Sequence, residues 1–225
     1  MTYRTDSDIF MPYGQVHTRG TKKLNDQVSL NSKTKLAAWF VSHCVTLSRR
    51  EKLVNKLLEY LPDNSVDIYG YCGPQKCPKE NETKDSCWEM VEQNYKFYLS
   101  LENSICKDYV TEKMFEALKH NVVPIVLGGA NYSAIFPEKS FINMQEFQSM
   151  KELADYLLLL DNNRTEYLKY FKWKEKYEIS NSKQDFNQAH CRLCDLLHKE
   201  EGEIKIVNNL SRWWVEDASC SSSSL

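Results

Sequence analysis

Phe97–Leu118 reads FYLSLENSICKDYVTEKMFEAL, and its two ends belong to different kinds of structure. With Tyr95 and Lys96 added, the first part (YKFYLSL, Tyr95–Leu101) is a dense aromatic and aliphatic run that suits a buried strand. The last part, Thr111–His120 (TEKMFEALKH), puts Met114, Phe115 and Leu118 on one side and basic residues in its final turn, so it predicts a helix. Between them lie Glu102-Asn103-Ser104 and Lys107-Asp108-Tyr109-Val110. These polar residues thus run from the carboxyl end of a strand to the amino end of a helix. Open parallel sheets bind ligands outside the carboxyl ends of their strands. A helix N-terminus adds free backbone N–H groups and about half a positive elementary charge, which suits phosphate.

Outward from this stretch the alternation continues. Lys35–Ser42 (KLAAWFVS) predicts a buried strand, and Leu47–Leu61 a helix with charges on its outer face, stopped by Pro62. Val66–Tyr71 reads as a strand, and Tyr71–Trp88, with three cysteines, Gly73, Pro74 and Pro78, as a loop. Val122–Leu127 (VVPIVL) is a further strand that Pro124 makes irregular or places beside an edge. Gly128-Gly129 then turns the chain, and Met150–Leu160 and Thr165–Trp173 predict helices. Strands alternating with helices imply an α/β fold: a Rossmann-like parallel sheet with helices on both faces. Residues 1–33 are polar and without period, the mark of a linker or the remnant of a preceding domain. Residues 34–180 form the sheet domain, and 181–225 a cysteine-containing extension and tail.

A second polar cluster follows the first strand: Ser42-His43-Cys44, with Arg50 in the next helix. Arg50 and Lys113 together could neutralise a diphosphate. Glu112 would repel one, unless it faces sugar hydroxyls or pairs with a cation. Ordinary capping explains Asp108 and Glu112 equally well, since carboxylates favour helix starts. There is no G-x-G-x-x-G and no G-x-x-x-x-G-K-[ST], which argues against classical dinucleotide and P-loop chemistry.

Composition narrows the classes further. The 225 residues are 42% apolar, enough for a real core, and 29 basic against 31 acidic residues leave a net charge of −2. A nucleic-acid reader would show a basic excess. No stretch approaches the roughly 18–20 apolar residues of a membrane span, and Thr2–Asp8 is too polar and mixed in charge to open a signal peptide. Yet there are eight cysteines and four Asn-x-Ser/Thr sequons, at Asn81, Asn131, Asn163 and Asn209. Together they favour an oxidising, secretory compartment, with the targeting segment expected upstream.

The run FYLSLENSICKDYVTEKMFEAL resembles the signature of the α1,3-fucosyltransferases, glycosyltransferase family 10. Similar blocks surround it in order: MTYRTDSDIFMPYG (Met1–Gly14), AWFVSHC (Ala38–Cys44) followed by Arg50, VVPIVLGGANYS (Val122–Ser133), SFINMQEF (Ser140–Phe147), Tyr170–Lys174 and Cys191-x-x-Cys194. The resemblance implies the C-terminal half of a GT-B fold, which binds GDP-fucose. It implies a reaction that moves fucose, with inversion, to N-acetylglucosamine of glycoprotein N-glycans or related acceptors. Arg50 and Lys113 would neutralise the departing diphosphate, and Glu112 would hold fucose hydroxyls and offset charge at the anomeric carbon. Tyr98, Asn103 and Tyr109 would shape the nucleotide-sugar pocket, with Tyr13 and Ser42 closing it. No cofactor is required, and Mn2+ is at most stimulatory. The family setting is the Golgi lumen, with membrane contact only through an anchor outside this chain, and no nucleic-acid partner. The family's other half binds the acceptor and supplies the base, so a GDP-fucose-binding module without transfer is the alternative.

Some residues depart from this pattern or invite other readings. His43 stands where the family commonly has Asn, and a hydrogen-bonding substitute is the simplest account of it. Asp6-Ser7-Asp8 has D-x-D spacing, read as structural or interdomain contacts rather than a metal site. His190-Cys191-x-x-Cys194-x-x-x-His198 has knuckle-like spacing, but the resemblance implies a disulfide, within C-x-x-C or to cysteines of the other half. Tyr167–Tyr177 is read as a helix with an aromatic face, and Trp213-Trp214 as a sugar contact or a docking surface.

Overall fold

The structure, a computed structural model, describes residues 1–20, 32–77, 84–180, 182–199 and 206–222. In chain order its elements are β1 (Val16–Thr18), β2 (Lys35–Phe40), α1 (Arg50–Leu58), β3 (Val66–Tyr69), α2 (Lys84–Asn94), β4 (Tyr95–Leu101), α3 (Glu112–Lys119), β5 (Val123–Leu127), α4 (Tyr132–Ile135), β6 (Ile142–Asn143), α5 (Met150–Asn162), α6 (Arg164–Leu168), β7 (Tyr177–Ile179) and α7 (Ser182–Lys199). Five strands form a parallel sheet in the order β3-β2-β4-β5-β6, and β1 pairs with β7 antiparallel. This is the α/β sheet that the sequence predicts.

Alternation along the strands decides which face each helix covers. Ala37, Trp39, Val41, Phe97, Leu99 and Leu101 point to one side, where Leu53, Val54 and Leu57 of α1 and Leu153 and Leu157 of α5 cover them. Ala38 and Tyr98 point to the other, against Val91 of α2 and Ala117 of α3. Both faces are therefore buried, which explains why β4 and β5 read as continuous apolar runs. Pro124 lies opposite Tyr98 in the penultimate strand, and β6 begins to pair only at Ile125. Its missing N–H therefore costs no ladder bond on that side.

The ends of the chain are fastened to the sheet domain. Residues 1–20, within the stretch read as a linker or the remnant of a preceding domain, pack against it. Arg4 is buried, its guanidinium bonded to Asp6 and to the Trp213 carbonyl and lying 4.5 Å over the Trp213 ring. Gly14 lies so close to Phe115 that a Cβ there would come within 2.6 Å of its ring. The carboxyl-terminal tail is likewise strapped to the β4–α3 loop: Lys107 N donates to Ala218 O, Ser221 N donates to Ile105 O (both 2.9 Å or less), and Cys106 bonds Cys220. The stretch read as a cysteine loop gains α2 from Lys84, and folds back on the outer edge of β3 through Gln75 N to Ile68 O (3.2 Å) and Gly70 N to Gln75 O (3.3 Å). Cys44–Cys72 and Cys77–Cys87 bracket it. Asn81 of the first sequon lies outside the described residues.

Two expectations follow. Closing a chain of 114 residues, the Cys106–Cys220 bond constrains the unfolded state strongly. Replacing both cysteines by serine should lower stability by about 3–5 kcal/mol, read from urea midpoints. Lys33 is buried with its ammonium donating to the carbonyls of Glu92 and Tyr95, and burial pulls it down to about 8. Below pH 8 the folded state must keep that buried charge. As pH rises from 8 towards the ordinary lysine value the unfolded chain binds more protons, so this residue's contribution makes stability rise with pH. Lys33→Met should flatten that rise in a pH series of thermal melts.

Candidate functional site at the switch point of the sheet

After β2 the chain moves outward to β3, then returns to β4 on the other side of β2. The strand order reverses between β2 and β4, and a crevice opens at their carboxyl ends. Ser42 and His43 leave β2 there, both exposed, and Glu102 and Asn103 leave β4. The two quoted clusters are thus brought together.

Arg50, the first residue of α1, crosses beneath this crevice. Its guanidinium donates to the carbonyls of Leu101 and His43 and lies 5.6 Å from the centre of the Trp39 ring. Only 2% of it is exposed, and its Nε has no hydrogen-bond partner among the described residues. Arg50 therefore forms the floor of the site rather than its wall.

The amino end of α3 forms one wall. Asp108 takes a left-handed φ of 62°, which an aspartate tolerates, and its carboxylate accepts from Thr5 N (3.1 Å) and Thr5 Oγ1 (2.7 Å). The turn it makes carries Tyr109, whose hydroxyl burial pushes up to about 12 and whose ring meets Tyr3 at 5.0 Å. Glu112 projects with its side chain 58% exposed, while Lys113 is 15% exposed. Lys113 Nζ donates to Thr111 Oγ1 (2.7 Å) and Glu102 Oε2 (3.1 Å), with Glu112 Oε1 at 3.4 Å. Asn103 turns its Oδ1 into a buried position where no described group donates to it, an acceptor open to a ligand's N–H or O–H.

Glu102 has 0% exposure, and burial raises its carboxyl above the usual range against the pull of Lys113. Tyr132, behind Gly128, has a buried hydroxyl with no described partner, and a Cβ on Gly128 would come within 2.2 Å of it. Neither Glu102 nor Thr111 nor Tyr132 has a role in the sequence reading. A carboxylate ending an apolar strand, with Thr-x-Lys downstream, was the available signal for the first two. Tyr98 is buried instead of lining an open pocket, its ring against Trp88 (4.6 Å) and Phe40 (5.4 Å), and burial raises its hydroxyl. Tyr13 is 43% exposed in a neighbouring pocket of about 400 Å3, with Tyr3, Phe186 and Trp214.

Other candidates lie elsewhere. Asp6 is held by Arg4 (2.6 Å), and the described residues contain no cluster of three or more His, Cys, Asp and Glu fit for a metal. Cys191 and Cys194 are exposed free thiols on α7, so a bond within C-x-x-C is not formed. The α7 surface around them is a shallow groove without further sulfur ligands.

The sequence and the fold both have known relatives. The family described as glycosyltransferase family 10 (fucosyltransferase) C-term matches residues 30–213. Alpha-(1,3)-fucosyltransferase C of Drosophila melanogaster is 39% identical over 95% of this chain and 53% of its own length. Glycoprotein 3-alpha-L-fucosyltransferase A of the same fly is 41% identical over 99% of this chain and 44% of its own. The chain spans about half the length of the curated relatives it matches. A solved α1,3-fucosyltransferase with GDP-fucose shares the fold, with a TM-score of 0.59 and 24% identity over 80% of this chain and 52% of that one. Over residues 30–213, most of its length, the chain belongs to glycosyltransferase family 10, the fucosyltransferases.

Proposed function

We propose that the chain is the donor-binding half of an inverting α1,3-fucosyltransferase, which moves fucose from GDP-fucose to N-acetylglucosamine of glycoprotein glycans. One observation carries the reading. At the β2/β4 switch point, a helix N-terminus and Lys113 stand beside the exposed carboxylate of Glu112. The first two suit a diphosphate, and the third suits sugar hydroxyls.

In the reaction the bond from the fucose anomeric carbon to the β-phosphate oxygen breaks, and its electron pair leaves with GDP. The acceptor hydroxyl forms the new bond on the opposite face, and its proton passes to a base. The family resemblance assigns that base and the acceptor site to the other half of full-length proteins. Lys113 and the amino end of α3 stabilise charge gathering on GDP, and Glu112 offsets positive charge at the sugar carbon. Arg50 contributes from below, by fixing the two strand ends and through its field. A divalent cation such as Mn2+ is accessory under this reading.

The work belongs in the Golgi lumen. Three disulfides suit that oxidising setting, and no described helix is long and apolar enough to cross a membrane. The second reading, GDP-fucose binding without transfer, draws on the chain's spanning about half of its relatives.

Calorimetric titration of the secreted, folded chain should show GDP-fucose binding selectively over GDP-mannose. Folded protein that binds neither would defeat the donor-site reading. Lys113→Ala should weaken GDP and GDP-fucose alike, by about tenfold, the worth of one charge-assisted hydrogen bond. In a full-length form, Glu112→Ala and Lys113→Ala should each cut transfer by about a hundredfold or more. Unchanged transfer rates would overturn both roles, and binding without turnover in that form would favour the module reading.

A further inference from the structure

Glu102 is a titratable group that the mechanism above does not use, and its surroundings are built for more than packing. It lies wholly buried at the carboxyl end of β4, where a lone carboxylate would be costly. Its Oε1 accepts from Thr111 N (2.8 Å) and Thr111 Oγ1 (3.0 Å), and its Oε2 lies 2.8 Å from Thr111 Oγ1 and 3.1 Å from Lys113 Nζ. Thr111 is the N-cap of α3, yet its hydroxyl makes no cap bond. A threonine there normally turns its oxygen to the helix N–H groups. Here that oxygen serves Glu102 and Lys113 instead.

An ammonium has three protons to donate and no acceptor. Two of those on Lys113 go to Glu102 and Thr111, atoms fixed by burial. Among the described residues the third has only Glu112, at 3.4 Å and on an exposed side chain. From this geometry we infer that Glu102 is a positioning residue: with Thr111 it holds two legs of the Lys113 ammonium so that the third is delivered to the donor's diphosphate. The inference rests on the reading that this crevice takes a nucleoside diphosphate. On binding, a phosphate oxygen has to displace only the long contact to Glu112, and that carboxylate is released towards the sugar. Glu102 itself touches no ligand.

The test is a double-mutant cycle on GDP affinity, by calorimetry, in the chain with its disulfides intact. Glu102→Gln keeps the shape but turns an amide donor towards a position that must accept from Lys113. It should weaken GDP by about tenfold. Lys113→Met should weaken it by at least as much, and the double variant should be no weaker than Lys113→Met alone. Penalties that multiply in the double variant, or wild-type affinity in Glu102→Gln, would overturn the proposal while leaving the donor site standing. No GDP uptake by folded wild-type chain would overturn the donor-site reading and this proposal with it. If Glu102→Gln does not fold, Thr111→Val carries the same cycle. It removes the hydroxyl leg without removing a cap, and should cost several-fold in affinity that vanishes in the Lys113→Met background.

Discussion

A single buried guanidinium joins the ends of the two strands between which the site opens. Parallel strands that diverge at a switch point leave carbonyls there with no neighbouring strand to serve. Arg50 supplies donors to two of them, Leu101 O from β4 and His43 O from the end of β2, while its flat face rests by the Trp39 ring. Arginine suits this task because its rigid fork can reach two acceptors at once and is weakly hydrated for a cation. The crevice width, the direction in which Glu102 leaves β4 and the seat of α1 all follow from that crossing. Ser48 reinforces it, its hydroxyl donating to Glu102 O at 2.7 Å and its N–H to Asn103 O at 3.0 Å.

Above this floor, charge is arranged in layers. The Arg50 cation and the Glu102 carboxylate are both buried, the Lys113 ammonium pairs with Glu102 and is partly exposed, and Glu112 stands outermost. The buried Glu102 carboxylate has Lys113 as its opposite neighbour and Arg50 is held by backbone carbonyls, the conditions under which ions are tolerated away from water. The net result at the surface is one partly exposed cation beside one exposed anion, an arrangement with poles for both ends of a nucleotide sugar.

Much of the sheet was legible because its strands are buried on both faces. YKFYLSL and VVPIVL are unbroken apolar runs, and the structure places them as the adjacent β4 and β5. The candidate residues Ser42, Arg50, Asn103, Tyr109, Glu112 and Lys113 do gather at one crevice, since each follows a strand end or opens a helix. Tyr98 and Arg50 were less legible in their exposure: sequence places a residue on an element but does not say how many side chains cover it. The contacts that fasten the ends of the chain were not legible for a related reason. The contacts of Arg4 with Trp213 and of Cys106 with Cys220 join residues far apart in sequence and leave no periodic trace. Likewise α2 was hidden by a neighbouring loop rich in cysteine, glycine and proline.

An open sheet ends in two strands whose outer backbone groups lack a partner, and such edges recruit other strands. In this protein neither edge is long and bare. One is β6, only two residues in length. The other is β3, where the chain from Gly70 to Gln75 turns back to take the outer donors and acceptors, held in place by Cys44–Cys72. The disulfide-bracketed loop, fastened beside the end of β2, thus acts as a hem along the sheet. It covers the β3 edge that a strand of a second copy would otherwise pair with.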